Sequence, residues 1–357
     1  MRINRVVGVL LLALTGCDGS STHDESFAGL GSEAAAFKQV TPGRVFSFPV
    51  DHGAHDGYRV EWWYITANLK DPQGREFGVQ WTLFRNALKS GPEQPGWASQ
   101  VIWLGHAAVT SATVHHAAER YARGGVGQAG VQNVPFAAWI DDWRLNTQAD
   151  TANPLAEMHM QASGKGFNYR LRLTSNRPLV LQGEQGFSQK SERGQASYYY
   201  SQPFFQASGS LEIDGTTYQV SGPAWLDREW SSQPLTADQT GWDWFSLHLD
   251  SGAQVMLYRI RQKGGGVYLT GSWINPDGSV VQLSRDEISL TPLASSEVAG
   301  RRLPTRWSIK VPGKGLDITS SALNTGAWMD LRIPYWEGPV QLSGSHAGNG
   351  YLEMTGY

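Results

Sequence analysis

From about residue 60 to the C-terminus, apolar and polar side chains alternate in one short run after another: VIWLGHAAVTS, MHMQASG, FNYRLRLTS, ASGSLEIDG and TYQVSGPAWL, then GVYLTGSWINPDGSVVQL, RWSIKVPG, GLDITSSAL and QLSGSHAGNGYLEMTGY. A period of two sends successive side chains to opposite faces, so each run predicts a half-buried β-strand. Asp214-Gly215, Asp277-Gly278 and Pro312-Gly313 punctuate them as turns. One segment breaks the pattern. HHAAERYARGG (115–125) has Glu119 and Arg123 four apart and ends in glycines, which predicts a single helix with His115 and His116 at its solvated start.

In RVEWWYITANL (59–69) the alternation puts Glu61 on the same face as Trp63, Ile65, Ala67 and Leu69. That stripe must face a core or a cavity, with Glu61 partly dehydrated at its end. A second copy of the pattern follows about 180 residues later. WWYITANL (62–69) lies over WDWFSLHL (242–249) without a gap, and VQWTLFR (79–85) lies over AQVMLYR (253–259). The first copy has the longer turn. Two β-hairpins so related predict two β units, each a closed or sandwiched sheet, rather than a solenoid.

Acids recur on the apolar faces. Asp243 shares the face of Phe245, Leu247 and Leu249, and in PAWLDREWSSQ (223–233) an extended chain puts Asp227 and Glu229 on one side, about 6.6 Å apart along the strand. Burial raises a carboxyl pKa and a neighbouring acid raises it further, so such a pair can supply a proton donor and a base together. The competing reading pairs these acids with Arg85, Arg228 or Arg259 in structural ion networks, and uses the tryptophans to fill barrel ends.

The N-terminus changes the setting. Arg2 and Arg5 precede an apolar run from Val6 to Leu14, too short to span a bilayer, and Leu14-Thr15-Gly16-Cys17 resembles a bacterial lipobox. Residues 1–16 are therefore expected to be a signal peptide, Cys17 the lipidation site, and residues 17–42, rich in Ser, Gly, Ala and acids, a flexible tether with a span of roughly 25–30 Å. Asp18 resembles the signal that retains enteric lipoproteins on the inner membrane, so the chain is expected at the periplasmic face of the cell envelope, the inner membrane favoured over the outer. Cys17 is the one cysteine, which excludes intramolecular disulfides and thiolate metal clusters.

Without residues 1–16 the chain carries 27 basic and 32 acidic side chains, so nucleic acid is not an expected partner. Fifteen tryptophans, 41 glycines and the low charged fraction again point to β structure. No GxSxG, SxxK, HExxH or P-loop pattern occurs. Ser188 and Lys190 in GFSQKS are weak support for a nucleophile, and His52 with His55 lacks a third metal ligand, so both histidines are expected at the surface and no metal or cofactor is expected.

Taken in order, EWWYITANL, GFSQK, ASYYYS, PAWLDREWSS and GWDWFSLHLDSG resemble the carotenoid 1,2-hydratase and AttH-like family over roughly residues 43–357. The resemblance implies an all-β fold of two consecutive lipocalin-like barrels, here 43–234 and 235–357, meeting near residues 225–240. It also implies cofactor-free hydration or isomerisation of an alkene in a lipophilic ligand, or else lipid carriage for an ABC transport system; hydrolysis has less support. On the hydration reading Asp227 would protonate the alkene, Glu229 or Asp243 would activate water, and Trp230, Trp242 and Trp244 would shelter the cation. Glu61, Trp63, Tyr64 and Tyr199 would complete the ligand site. The lipoprotein signal departs from the true hydratases, so the expected ligand is lipophilic but not a carotenoid in particular.

Overall fold

The structure, a computed structural model, describes residues 36–147, 153–233 and 235–357. The expected signal peptide, Cys17 and most of the tether lie outside the described residues. Among the described residues the chain is all-β apart from short 3-10 turns, and it forms two lipocalin-like barrels, the first nearly closed and the second a half-barrel.

The first sheet comprises β1 (Val60–Lys70), β2 (Glu76–Ala87), β3 (Val101–Ser111), β4 (His115–Arg123), β5 (Ala129–Asn133), β6 (Phe136–Ile140), β7 (Trp143–Asn146), β8 (Glu157–Gly164), β9 (Phe167–Thr174), β10 (Val180–Leu181), β11 (Phe187–Gln189), β12 (Ala196–Ile213) and β13 (Thr216–Ser231). Its order is β4-β3-β2-β1-β13-β12-β9-β8-β7-β6-β5, with β10 and β11 on β12. The second sheet comprises β14 (Gln239–Leu249), β15 (Gln254–Gln262), β16 (Val267–Ile274), β17 (Val280–Leu283), β18 (Ser289–Val298), β19 (Arg301–Val311), β20 (Leu316–Ala322), β21 (Trp328–Met329), β22 (Tyr335–Gly344) and β23 (Gly348–Met354). Its order is β17-β16-β15-β14-β23-β22-β20-β19-β18, with β21 on β22.

The predicted helix is absent: residues 115–123 are β4, paired along β3 from Thr110↔His115 to Ile102↔Arg123. The turn after Ser111 returns the chain directly beside β3, and a free strand edge of that length outweighs local helical preference. Glu119 then meets Tyr121, whose hydroxyl donates to it at 3.0 Å, instead of Arg123. The tether also ends earlier than expected. Phe37 is buried in the first core, the Lys38 amide donates to the Gly57 carbonyl at 2.9 Å, and the Thr41 amide donates to the Tyr198 hydroxyl at 3.0 Å.

The hairpins β1–β2 and β14–β15 hold corresponding places, because each first strand lies between its hairpin partner and the last strand of its own sheet, β13 or β23. Their register differs from the ungapped overlay. Glu61 stands opposite Arg85, and Asp243 opposite Arg259, so Glu61 corresponds to Asp243 and the overlay of the first strands is displaced by two residues. From the acid–arginine pair the first hairpin runs on for nine paired positions, to Lys70↔Glu76, and the second for five, to His248↔Gln254. The extra length is shared by both arms, not by the turn alone.

Each barrel has its own core. Trp63, Ile65, Ala67 and Leu69 point into the first, and Phe245, Leu247 and Leu249 into the second. The outer faces of the two hairpins pack on one another through a third cluster that contains Tyr64, Trp225, Trp242, Trp244 and Tyr258. Gly78 is required for this approach, since a Cβ there would lie 2.4 Å from the Tyr351 hydroxyl and 2.6 Å from Pro339. Asn68 Nδ2 donates to the Gly350 carbonyl at 2.8 Å, and Gln80 Nε2 to the Tyr335 hydroxyl at 2.9 Å, which ties the sheets together.

Candidate active site

Alternation along β1 and β13 sorts the predicted residues onto two faces. Glu61 and Trp63 stand beside Trp230 and Arg228 on the inner face, while Trp62 and Tyr64 stand beside Glu229 and Asp227 on the outer face. The inner group is structural. Glu61 is buried, with its carboxylate 3.1 Å from Arg228 Nη2, 3.5 Å from Arg85 Nη1 and 3.1 Å from His55 Nδ1. Burial pushes its pKa up, but the His55 hydrogen bond and charge, with those of Arg228 and Arg85, outweigh it and hold the carboxyl at about 2. Trp63 donates its indole N–H to the His52 carbonyl at 2.8 Å and lies 3.8 Å from the Arg228 guanidinium. Trp230 stacks on His55 at 3.9 Å.

The stripe that raised the question of core or cavity is therefore core, and Glu61 is one arm of an ion network. Glu61 borders the cleft described below, but its carboxylate is taken up by these partners. Trp63 and Trp230 do not reach the cleft and cannot contact a ligand there. His52 and His55 are not surface residues either. Segment 44–58 folds over the end of the first barrel, and His52 Nδ1 lies 2.7 Å from the Tyr200 hydroxyl. Burial and the Arg228 charge push His52 down to about 3.

Asp243 behaves like Glu61. It is fully buried in the second barrel, 2.7 Å from Arg259 and 2.6 Å from Arg261, and accepts a hydrogen bond from Tyr357 at 2.7 Å. It does not border the cleft and cannot activate water there.

The outer faces enclose a narrow cleft with about 40 Å³ of free volume, lined by Trp62, Tyr64, Phe84, Trp242, Trp244 and Tyr258 and, besides Glu61, by the acids Asp227, Glu229 and Glu353. Asp227 is buried in its wall. Its carboxyl accepts from Tyr199 Oη at 2.6 Å, Ser201 Oγ at 2.5 Å and Trp225 Nε1 at 2.7 Å, with no cation among its hydrogen-bond or ion-pair partners. Burial pushes its pKa up strongly, those three donors pull it back, and the charge of Glu229 adds to the rise; the result is about 7.

Glu229 forms a buried ion pair with Lys190, 2.9 Å away, and the ammonium also lies 4.0 Å from the Tyr258 ring centre and 4.9 Å from that of Tyr199. Glu353 accepts the indole N–H of Trp242. Burial and the charges of Asp227 and Glu229 raise it to about 7 against that hydrogen bond. Tyr199 stands behind the wall, accepting from Trp244 Nε1 at 3.3 Å while it donates to Asp227. Tyr64 donates to Glu337, a buried acid that burial and the Glu353 charge raise well above the carboxylate range.

Of the predicted residues, the structure thus gathers Asp227, Glu229, Tyr64, Trp242 and Trp244 at one cleft with Tyr199 behind them, and it separates Asp243, Trp63 and Trp230. Sequence reasoning missed Glu353 and Tyr258; it had Trp62 only as part of the EWWYITANL motif and Lys190 only as weak support for a nucleophile, not as the partner of Glu229. The repeat contained the signal for Glu353. Trp62 lies between Phe84 and Glu229, and Trp244 between Tyr258 and Glu353, so Glu353 is the duplicate of Glu229 once the register is set by the acid–arginine pairs. Among the described residues no three His, Cys, Asp or Glu side chains are placed to hold a metal ion.

A family model described as AttH-like matches residues 39–357. A putative AttH from Nitrosomonas europaea is similar at 32% identity and a TM-score of 0.79, covering 90% of this chain and 100% of its own. Kievitone hydratase from Nectria haematococca shares the fold at 14% identity and a TM-score of 0.67, over 90% of this chain and 96% of its own. CghA shares it at 14% identity and a TM-score of 0.52, over 84% and 88%. Among curated proteins, none matches the sequence.

Proposed function

This chain belongs to the AttH-like family, and from the cleft between its barrels we propose that it binds a lipophilic, unsaturated ligand and transfers protons to and from it, adding water to an alkene or moving its double bond without a cofactor. The carrying observation is Asp227, a carboxyl with a pKa of about 7 facing an aromatic cleft. The kievitone hydratase fold supports the reading by likeness of architecture alone.

In this reaction Asp227 gives its proton to one alkene carbon, the π electrons form the new C–H bond, and the other carbon becomes cationic. The faces of Trp62, Trp242 and Trp244 shelter that charge. Water attacks the cation and loses a proton to Glu353, which is ionised in part at neutral pH; in isomerisation Glu353 takes a neighbouring C–H proton instead. Proton return from Glu353 to Asp227 through solvent restores the starting state. Glu229, tied to Lys190, keeps negative potential over the cation. The protein would act as a periplasm-facing lipoprotein, as its first 17 residues are read.

The test uses linear isoprenoid and polyene alkenes in ¹⁸O-labelled or deuterated water, with mass spectrometry of the product and tryptophan quenching for binding. Wild type should bind at micromolar ligand and incorporate label. Asp227→Asn should bind while losing conversion by about 10²-fold or more. Full conversion by Asp227→Asn overturns the mechanism. Binding without conversion in wild type replaces it with lipid carriage, for which an ABC transport system is the candidate partner.

A further inference from the structure

Large apolar side chains are exposed unevenly. In segment 44–58, Val45 is 87% exposed, Val50 59% and Phe48 39%. Gly53 of the same segment abuts the side chain of Asn133, next to Val134, which is 50% exposed in the β5–β6 turn. The β2–β3 connection adds Trp97 at 78% and Leu88 at 54%, and the β4–β5 connection adds Val126 at 37%. All seven belong to the end of the first barrel where β1 begins and β2 ends. Among the described residues the second sheet exposes only Val281 and Leu293 in this way. Scattered exposed hydrophobes need no explanation, but a concentration at one end marks an interaction surface.

Two features identify the partner. The described chain enters at this end, since Phe37 and Lys38 dock beside Gly57, and eighteen residues, 18–35, separate Ala36 from Cys17. A chain of that length and composition typically spans about 25 Å, whereas a body of this size is about 50 Å across. A lipid on Cys17 would hold this end, and not the opposite one, against a bilayer. The mouth of the cleft lies here too: Val60 and Asn86, at the start of β1 and the end of β2, border it, and its partly exposed rings are Trp62 and Phe84, while Tyr64 and Asp227 lie deeper.

We propose that this end of the first barrel rests on the membrane surface, so that a lipophilic ligand passes between the bilayer and the cleft without crossing water. The proposal rests on the lipophilic-ligand reading for its purpose and on the lipobox for the anchor. It is tested with the full acylated chain in phosphatidylcholine vesicles, carrying an environment-sensitive fluorophore on Val50→Cys, Trp97→Cys or Val134→Cys, with Val281→Cys and Leu293→Cys as controls.

Labels at 50, 97 and 134 should shift to the blue and be quenched at least twofold more by brominated lipid than the controls. Patch labels no more quenched than the controls, on a chain that sediments with the vesicles, overturn the proposal. Intact mass reports acylation separately. If the chain is unacylated, the same labels in a Cys17→Ala background decide: a vesicle-dependent shift upholds the surface and removes the anchor, and no shift overturns the surface. Alkene conversion in detergent is unaffected by either result, so failure here is distinct from failure of the catalytic reading.

Discussion

Replacing Glu61 with glutamine separates the structural acids from the functional ones. The side chain is buried between Arg85 and Arg228, which are themselves buried, and its carboxyl is held at about 2 instead of the ordinary 4.5. That gap corresponds to about 3 kcal/mol favouring the ionised form in the folded state. Because the folded value is depressed, the contribution is fully present above about 4.5 and is lost as the pH falls through about 2. Glutamine keeps the volume but removes the charge, leaving buried Arg228 without a carboxylate and Arg85 with only the half-exposed Asp56, a loss of about 3–5 kcal/mol. For a body of about 320 residues this lowers the melting temperature by about 5–7 °C at neutral pH, and the difference from wild type should shrink in acid. Denaturant and thermal unfolding followed by circular dichroism between about pH 3 and 8 measure it, with ligand titration alongside. The reasoning is refuted if Glu61→Gln unfolds within about 0.5 kcal/mol of wild type at pH 7, or if it abolishes ligand binding while remaining fully folded.

Asp243→Asn should behave alike, destabilising by about 3–5 kcal/mol in denaturant melts with ligand affinity unchanged, because its arginine pair lies in the second core. Asp227 works in the opposite sense: its folded value of about 7 lies above the ordinary 3.8, so wild-type stability should fall by up to about 4 kcal/mol as pH rises from about 4 through 7, and Asp227→Asn should flatten that slope in pH-dependent unfolding. Lys190→Met leaves Glu229 without its cation beside two further acids; the pH at which conversion falls off should move upward by about one unit, while an unchanged pH–rate profile would free Lys190 of any part in the cleft. Gly78→Val should separate the barrels' packing, read as loss of ligand quenching and new protease sensitivity.

The alternating runs made the all-β fold legible, and the hairpin repeat together with the family resemblance made the paired barrels so. Local periodicity was insufficient for residues 115–123, because whether that segment becomes strand depends on the free edge of β3, a tertiary partner that the window does not contain. Alternation also identified that Glu61 shares a face with Trp63, and Asp227 with Glu229, but not which face looks outward. That choice depends on how β1, β13 and β14 pack: it leaves Trp63 and Trp230 off the cleft, keeps Tyr64 there and puts Trp62 beside it. Glu353 was hidden by a register error of two residues, since hairpins whose arms differ in length align by sequence only at one strand at a time.

The central claim is that the cleft holds Asp227 as an acid poised near neutrality, with its proton available to a ligand. Carboxyl ¹³C chemical shifts in selectively aspartate-labelled protein, followed from about pH 4 to 9 in wild type and Asp227→Asn, measure this directly. The account predicts one aspartate resonance that titrates with a midpoint near 7, disappears in Asp227→Asn, and moves when a lipophilic alkene fills the cleft. An Asp227 resonance already ionised at pH 5 and indifferent to ligand would contradict it.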